Sequence, residues 1–481
     1  MKKLMKGNEA IAEAAILAGC RHFFGYPITP QNQIPEYMSR RMPQVGGCYL
    51  QAESEVAAIN MVYGAAAAGA RAMTSSSSPG ISLKQEGISY LAGSELPCVV
   101  VNIARGGPGL GSIQPAQSDY HQATRGGGHG DYRVPVLAPS SVQEAVTLTQ
   151  LAFDIADRYR NPVMVLGDGL IGQMMEPVDM DTAQHYEPPA DLPPKTWAAT
   201  GHVPDLDSPR AVVNSLFIDP TQLEAHNLKL QKKYDAIEAG ECRWQEENLD
   251  DAEIVLVAYG ATSRIARGAM RRCRTLGLKV GLLRPITLWP FPAAALRRTL
   301  STAKRYICLE MSLGQMVDDV RLAINGARPV DFYGRAGGMV PTVSEVVQRI
   351  QDAEPLSQTQ DPPRETAEAA PEARSYAEED EPVRAPQDEE DPAAQIAGDV
   401  ERLLRQAARK VDQAVEAVGA KLGGLGPMAD GLASAIGNVV NTIRRDLAEI
   451  EARQQPEQAP PEAGGSPGAS DREPEEGADD S

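Results

Sequence analysis

The most informative absences in this 481-residue sequence concern paired cysteines and long apolar runs. Its six cysteines stand singly, without a C-x-x-C pair or the dense spacing that cysteine-ligated iron–sulfur clusters require. Glu9 and Glu13 interrupt the stretch that would otherwise be the apolar core of a secretory signal. No run approaches the ~18 apolar residues of a membrane span. These absences predict a cytoplasmic, soluble protein with buried free thiols and no membrane span.

An excess of basic residues is also missing. The formal net charge is -19, and the segments 354–395 and 456–481 together carry 17 of these excess negative charges. The acidity therefore belongs to the C-terminal region and says little about the partners of the remaining chain. Because no basic stripe is left to neutralise phosphates, the sequence argues against a nucleic-acid-binding protein.

Residues 8–170 alternate between helix and strand patterns. Asn8 is expected to cap a first helix that ends at Gly19, and short strands are expected at 22–24 and 48–51. The stretch PCVVVNIAR is an unbroken apolar strand of the kind that is buried on both faces of a parallel sheet. This alternation predicts an α/β fold with a doubly wound sheet, whose site is formed by loops at the strand ends.

The rest of the chain divides by composition. A polar, proline-rich connection with one helix near 220–245 precedes a second α/β unit, in which helices are expected to start near Ser263 and Gly314. From 354 onward Pro, Glu, Ala and Asp dominate, which is typical of disorder. Within this tail, apolar residues at 400–418 and 432–450 step by three and four, which predicts two short heptad-like helices.

Six segments, taken together, resemble one family, the α subunit of the 2-oxoacid:ferredoxin oxidoreductases, over roughly residues 1–350. The resemblance is closest to the branched-chain type, which acts on 2-ketoisovalerate (3-methyl-2-oxobutanoate). The segments are YPITPQNQIPEYMS at 26–39, QAESEVAAINMVYGAAAAGA at 51–70, TSSSSPGISL at 74–83, VNIARGGPGLG at 101–111, LLRPITLWPFP at 282–292 and GRAGGMVPTVSEV at 334–346.

The chain is expected to divide into six regions, of which the resemblance implies the first three. These are a thiamine pyrimidine-binding-type domain at 1–178, a connecting segment at 179–250, a transketolase C-terminal-like α/β domain at 251–353, an acidic disordered linker at 354–395, a helical heptad-like segment at 396–453 and an acidic disordered tail at 454–481. The three regions beyond residue 353 fall outside the family pattern and rest on composition alone.

The resemblance also implies the chemistry. Such enzymes of anaerobic metabolism are hetero-oligomers that oxidatively decarboxylate a 2-oxoacid with thiamine diphosphate, transfer the acyl group to CoA and pass two electrons to ferredoxin. The thiamine diphosphate is shared with a partner β subunit. Mg²⁺ and the iron–sulfur clusters are expected on that β subunit or on a ferredoxin-type subunit, which agrees with the scattered cysteines of this chain.

Glu55 is the candidate catalytic and cofactor-binding residue. Thiamine catalysis needs a carboxylate that hydrogen-bonds a ring nitrogen of the aminopyrimidine, and the family pattern has this carboxylate directly after a serine, here Ser54. Glu53 on the same turn is the rival. Glu55 could instead be a first-turn residue that merely suits the helix dipole.

Two further residues are candidates for binding the substrate carboxylate. Thr29 lies between two prolines, and the family pattern assigns its hydroxyl to the substrate, although by itself it resembles an ordinary turn threonine. Arg105 ends a buried strand and opens a glycine-rich loop, where a fixed guanidinium can bind a carboxylate bidentately. Gln31 and Asn32 follow Pro30, whereas many relatives have two serines there, which favours the branched-chain type over pyruvate.

No metal-binding residue is expected on this chain. The Gly-Asp-Gly run at 167–169 resembles the start of the Mg²⁺-diphosphate motif, but no Asn follows at the expected distance. Asp168 is therefore predicted to be a strand-end residue. His129 in the loop GGGHGD is as compatible with a structural role as with a cofactor contact.

Several functions stay open at this level. The α subunit of a branched-chain 2-oxoacid:ferredoxin oxidoreductase is favoured over the 2-oxoglutarate and pyruvate types. A second alternative is the β-type component of a lipoamide-linked 2-oxoacid dehydrogenase, which has a similar pyrimidine domain. A third is a non-catalytic scaffold whose acidic, helical tail recruits partners.

Overall fold

Two open sheets with helices packed on their faces organise residues 2–201 and 210–352, the part of the chain that the computed structural model describes. All of these residues belong to one unit, Met1–Pro363. The strands are β1 Lys2–Lys6, β2 His22–Gly25, β3 Cys48–Gln51, β4 Ala72–Ser76, β5 Cys98–Ala104, β6 Val136–Leu137, β7 Pro162–Asp168, β8 Met175–Asp179, β9 Trp244–Glu247, β10 Ile254–Val257, β11 Val280–Pro285, β12 Thr287–Trp289, β13 Arg305–Glu310 and β14 Val330–Gly334.

The helices connect and cover these strands. They are α1 Gly7–Leu17, α2 Gln33–Arg41, α3 Glu55–Ala67, α4 Ser78–Gly93, α5 Tyr120–Arg125, α6 Val142–Tyr159, α7 Gly169–Gln173, α8 Met180–Gln184, α9 Pro220–Glu241, α10 Gly260–Thr275, α11 Ala293–Arg298, α12 Met316–Ile324 and α13 Val343–Asp352.

The first sheet has seven strands in the order β12-β6-β7-β5-β4-β2-β3. From β6 to β3 every neighbouring pair is parallel, and only β12 at the edge is antiparallel. The chain adds strands on one side of β2 and then continues from β4 on the other, so the order reverses between β2 and β4. In open α/β sheets a crevice forms at the carboxyl ends of the strands at such a reversal. The predicted doubly wound α/β sheet is confirmed.

The second sheet has five strands in the order β14-β13-β10-β11-β9. Four of them are parallel, and β9 runs antiparallel to β11 at one edge. Strands β10, β11 and β13 are almost fully buried, and apolar residues of α10 and α13 pack on one face. A mixed α/β unit follows the first sheet, as the sequence indicated.

The local predictions for helices and strands mostly agree with the structure. The helix expected near 220–245 is α9, and the two expected strands at 22–24 and 48–51 are β2 and β3. The helices expected to start near Ser263 and Gly314 begin instead at Gly260 and Met316. The heptad-like segment at 396–453 lies outside the described residues.

The role expected for Asn8 was wrong. Helix α1 begins at Gly7, with Lys6 as its N-cap residue, so Asn8 lies inside the first turn and is fully buried. Its side-chain amide donates hydrogen bonds to the Pro30 carbonyl oxygen at 2.8 Å and to Gln33 Oε1 at 2.7 Å. A helix-start motif cannot reveal this contact, because it depends on a loop more than twenty residues away.

Candidate functional site

The candidate site lies at the carboxyl ends of the parallel strands of the first sheet. The turn with Thr29 follows β2, Glu55 follows β3, the serine run at 75–78 closes β4, and Arg105 follows β5. Because β2 and β4 flank the reversal in strand order, these four loops surround the crevice expected there. The topology therefore brings the three candidate residues Thr29, Glu55 and Arg105 to one edge of one sheet.

The Thr29 turn is held in place by side-chain amides from other parts of the chain. The Thr29–Pro30 peptide bond is cis, and the Pro30 carbonyl oxygen accepts hydrogen bonds from Asn8 and from Gln173 Nε2 at 2.6 Å. Gln31 points into the protein, where its Oε1 accepts a hydrogen bond from Ser75 Oγ at 2.6 Å. Asn32 is exposed, and its side-chain amide donates a hydrogen bond to Thr29 Oγ1 at 3.2 Å.

The Arg105 side chain is directed at the Thr29 turn. Its Nη1 donates to the Thr29 carbonyl oxygen and its Nη2 to the Leu110 carbonyl oxygen, both at 2.9 Å. The residue is 6% exposed, and its buried Nε has no hydrogen-bond partner in the structure. The guanidinium thus ties together the two loops that carry Thr29 and the glycine-rich segment, and it keeps one donor free.

The structure separates the two rival glutamates. Glu55 begins helix α3 and is 6% exposed, whereas Glu53 is exposed to solvent. Ser54 is the N-cap residue, and its hydroxyl accepts a hydrogen bond from Ala57 N at 3.1 Å, which fixes the first turn of the helix. The Glu55 carboxylate accepts no hydrogen bond from any residue in the described ranges. A buried carboxylate without a partner can serve as a hydrogen-bonding group for a ligand.

The first turn of helix α4 borders the Glu55 carboxylate. A Cβ on Gly80 would lie 2.5 Å from Glu55 Oε1 and 2.0 Å from Ser76 Oγ, so only glycine fits between them. The Ser76 hydroxyl is fully buried and has no hydrogen-bond partner within residues 2–201 and 210–352. The Glu55 carboxylate and the Ser76 hydroxyl together form a small polar area to which the described residues give no hydrogen bond.

A second polar cluster, which sequence reasoning missed, supports the loop after β5. Ser78 Oγ donates to Asp119 Oδ2 at 2.7 Å and accepts from the Arg105 backbone N at 2.9 Å. Asn102 Nδ2 donates to the same carboxylate oxygen at 2.8 Å. Burial raises the pKa of Asp119, while Ser78, Asn102 and the Arg105 charge oppose that shift. Three of these residues lie in segments that matched the family pattern, so the motifs were a usable signal for them.

A cleft of about 350 Å³ opens beside this cluster. On one side it is lined by Ser78 and the glycine-rich loop, and on the other by loops that follow strands of the second sheet. The cleft residues from the second sheet region are Met311, Ser312, Leu313, Gln315, Ala336 and Gly337.

Asp168 is the last residue of β7, at the strand end where the sequence placed it. It is the N-cap residue of α7, and its Oδ1 accepts hydrogen bonds from Leu170 N at 2.9 Å and Ile171 N at 3.1 Å. Its Oδ2 lies 3.3 Å from Ala261 N, at the start of α10. Burial raises the pKa of Asp168 to about 6, although these backbone donors favour the charged form. His129 lies in an exposed loop, where its carbonyl oxygen accepts a hydrogen bond from Ser89 Oγ.

Within residues 2–201 and 210–352, no group of three or more His, Cys, Asp or Glu side chains is placed to bind a metal ion. Nor does any helix there combine the length and the apolar character needed to cross a bilayer.

The amino-acid sequence of this chain matches the models of two protein families. The model described as pyruvate flavodoxin/ferredoxin oxidoreductase, thiamine diphosphate-binding, matches residues 13–241, and the model of pyruvate:ferredoxin oxidoreductase core domain II matches residues 252–346.

Individual proteins give the same result. Ketoisovalerate oxidoreductase subunit VorB of Methanothermobacter thermautotrophicus is 51% identical over 352 residues, which cover 73% of this chain and 97% of the relative. The 2-oxoglutarate synthase subunit KorA of Methanocaldococcus jannaschii is 38% identical over 368 residues, or 72% and 99% of the two chains. A solved structure of 2-oxoglutarate:ferredoxin oxidoreductase from Magnetococcus marinus is 28% identical, with a TM-score of 0.65 over 73% of this chain and 65% of that chain.

Proposed function

Because the chain belongs to the 2-oxoacid:ferredoxin oxidoreductase family, we propose that it supplies the acid–base carboxylate of a thiamine-diphosphate-dependent enzyme, and that this carboxylate is Glu55. The observation that carries the assignment is a buried carboxylate at the carboxyl edge of the first sheet, which accepts no hydrogen bond from the described residues. Glu53, the nearest alternative, is exposed and therefore lacks the desolvated environment that acid–base chemistry on a ring nitrogen requires.

The residues around Glu55 fit the aminopyrimidine half of the cofactor. When bound, thiamine diphosphate supplies the nucleophilic chemistry that splits carbon dioxide from a 2-oxoacid. Glu55 holds a proton next to a ring nitrogen and returns it, while the Ser76 hydroxyl offers a second, unsatisfied polar contact. The Ser54 cap fixes the helix turn, so the carboxylate is oriented before any ligand arrives.

Arg105 and Thr29 support binding of the substrate carboxylate. The free Nε of Arg105 is buried beside the Thr29 turn, and a carboxylate there would gain a charge-assisted hydrogen bond. Asn32 donates a hydrogen bond to the Thr29 hydroxyl oxygen, so the hydroxyl proton remains free to form a hydrogen bond to the same substrate carboxylate. Both residues bind and orient the 2-oxoacid in this proposal, and neither transfers a proton.

The substrate is proposed to be a branched-chain 2-oxoacid, 3-methyl-2-oxobutanoate, with CoA as acyl acceptor and ferredoxin as electron acceptor. Support comes from the higher identity to ketoisovalerate oxidoreductase subunits, 51%, than to 2-oxoglutarate synthase subunits, 38%. The 2-oxoglutarate and pyruvate types are thereby less favoured. The family match over both α/β units also disfavours a lipoamide-linked dehydrogenase component and a purely scaffolding subunit.

A partner β subunit is proposed to cover the site and to carry the diphosphate, Mg²⁺ and, with a ferredoxin-type subunit, the iron–sulfur clusters. Apolar side chains are exposed next to the candidate residues at this edge, which favours a protein partner over solvent. They are Tyr26 at 36% exposure, Leu50 at 41%, Val56 at 42%, Ile113 at 58% and Leu110 at 82%. A cytoplasmic complex is part of the same proposal.

The test compares two matched variants in the assembled complex. Glu55→Gln keeps the shape of the side chain but removes the ionisable carboxylate, so exchange of the thiazolium C2 proton of bound cofactor should slow by ~10²–10⁴-fold. Glu53→Gln should exchange at the wild-type rate, because the exposed side chain takes no part. Calorimetric titration of thiamine diphosphate checks that both variants still bind the cofactor.

Three other results would change the assignment. Slow exchange in Glu53→Gln with a normal rate in Glu55→Gln would move the role to Glu53. Normal exchange in both variants would remove this turn from acid–base catalysis altogether. If Glu55→Gln lost affinity for thiamine diphosphate while the bound cofactor still exchanged its C2 proton at the normal rate, Glu55 would be a binding residue only.

A further inference from the structure

Helices α3 and α4 pack closely along a line that ends at Glu55. Three of the α4 residues on this line are Gly80, Lys84 and Gly87, which are spaced by four and three and therefore share one face of the helix. A Cβ on Gly80 would meet Glu55 Oε1 at 2.5 Å, and a Cβ on Gly87 would meet Ile59 Cγ2 at 2.5 Å. Two glycines therefore let the helices approach, and Lys84 is the one long side chain between them.

Lys84 is an unusual residue for this place. It is fully buried, and its Nζ donates to the Glu55 carbonyl oxygen at 3.3 Å, its one hydrogen bond within the described part of the chain. Burying an ammonium group costs free energy unless a counter-charge lies near. Desolvation lowers the pKa of Lys84 to about 8, and the negative charge of Glu55 opposes this shift.

An apolar residue of the same length would fill this space without that cost, so packing alone does not account for a lysine. We infer that Lys84 is a positioning residue, which holds the first turn of α3 in place and brings a positive charge close to Glu55. The inference rests on the proposed function of Glu55 and adds a second residue, on a different helix, that controls it. Lys84 itself does not touch substrate or cofactor in this assignment.

The first experiment is a pH profile of C2-proton exchange in the assembled complex for wild type and Lys84→Met. Methionine has nearly the same length and no charge, so loss of the nearby positive charge should move the acid limb of the profile to higher pH. The difference should be present below pH about 8 and fade above it, since the wild-type lysine then loses its own proton. An unmoved acid limb overturns the inference.

Lys233→Met is the matched control. Lys233 on α9 is also largely buried, and desolvation lowers its pKa to about 8 as well, but its partners are Glu95 and the Arg160 carbonyl oxygen, remote in the fold from Glu55. Its replacement should leave the exchange profile unchanged. A shift of equal size in both variants would mean that removing any buried lysine perturbs the complex, which overturns the specific role of Lys84.

A second experiment needs no cofactor and no turnover. Urea unfolding of the full-length chain is compared for Lys84→Met, Glu55→Gln and the double variant. Residues that act on each other give non-additive changes, and the double variant should be less destabilised than the two single changes predict. Lys233→Met combined with Glu55→Gln should be additive. Additivity for the Lys84 pair overturns the inference.

The outcomes separate the two proposals. If Glu55→Gln exchanges normally, the proposed function fails whatever Lys84 does. If Glu55→Gln is slow while Lys84→Met behaves as wild type, the function stands and the inference fails. Should Lys84→Met not assemble, Lys84→Gln, which keeps a donor for the Glu55 carbonyl oxygen, replaces it in both experiments. Failure of both variants to fold would make Lys84 a structural residue and overturn the inference.

Discussion

At the scale of single residues, Arg105, which directly follows β5, has two roles. Its guanidinium joins the Thr29 turn to the glycine-rich loop through two carbonyl oxygens, and its Nε stays buried without a partner. A buried unsatisfied donor is costly, and such groups in native proteins usually have a ligand or functional reason. The free donor supports the substrate-binding role proposed for Arg105.

Replacement of Arg105 by methionine should therefore affect the 2-oxoacid selectively. A charge-assisted hydrogen bond to a carboxylate contributes about 1.5–3 kcal/mol, so kcat/KM should fall by about tenfold or more, mainly through KM. The affinity for thiamine diphosphate should stay nearly the same. Steady-state kinetics and calorimetry on the assembled complex measure both quantities.

Arg158→Met is a suitable control for this change, because Arg158 of helix α6 forms a largely exposed ion pair with Asp191. Its kinetics should equal those of the wild type. If Arg105→Met also kept its kinetics, the residue would only join loops and would not bind substrate.

At the scale of elements, the close contact of α4 with the start of α3 sets the geometry of the site. Replacing Gly80 with alanine should push the Glu55 carboxylate or the Ser76 hydroxyl aside, because both occupy the space that the new Cβ needs. We expect C2-proton exchange to slow by tenfold or more while the chain still folds, since a displacement of about 1 Å can cost 10²-fold in rate.

The matched variant is Gly64→Ala in the middle of α3. A Cβ at that position meets nothing within 4 Å, and the residue is exposed. This change should leave exchange unchanged and raise stability by about 0.4–1 kcal/mol, because alanine has less conformational freedom in the unfolded chain. Equal exchange rates in both variants would contradict the steric role of Gly80.

At the scale of the whole molecule, hydrogen bonds and an ion pair join the two sheet regions. Arg284 of β11 is 1% exposed and forms a bidentate ion pair with Glu144 of α6, with N–O distances of 2.7 and 2.8 Å. Asp168, the last residue of β7, accepts a hydrogen bond from Ala261 N in the first turn of α10. Strand β12 also leaves the second region to pair with β6 of the first sheet. These contacts indicate that both regions fold as one structure.

Removal of residues 354–481 should consequently leave assembly and turnover nearly unchanged. The removed segment holds 17 of the 19 excess negative charges, and the described helices and strands all end by Asp352. Thermal unfolding and turnover of the truncated complex are the measurements. Failure to assemble, or loss of most of kcat, would place the C-terminal segment within the enzyme proper.

A shorter chain that ends at residue 342 is the comparison for this truncation. It also removes α13, whose side chains Val346, Val347 and Ile350 are buried against the second sheet. Each such side chain contributes about 1.5–3 kcal/mol when fully buried, so this chain should be strongly destabilised. Equal stability of the two truncated chains would contradict the position of α13 in the core.

The sequence by itself determined the fold class and most of the elements. Strand β5 could be recognised because an unbroken apolar run has to be buried on both faces, and α9 because its pattern is local. The candidate residues Thr29, Glu55 and Arg105 also came from local motifs, since each lies in a short segment with a family pattern. The short strands β1 and β8 were missed, because their pairing joins residues some 170 positions apart and leaves little local signal.

Only the tertiary structure decided which of these residues lie together and which side chains are desolvated. Glu53 and Glu55 are two positions apart on one turn, and their burial differs because α4 packs over one and not the other. Asn8 has a helix-capping pattern, yet it bonds a loop that the chain brings back from residue 30. Lys84 looks like a surface lysine in sequence, and its charge next to Glu55 follows from two glycines that let two helices touch. Burial and contacts between distant residues are properties of the packed chain, and local sequence patterns do not contain them.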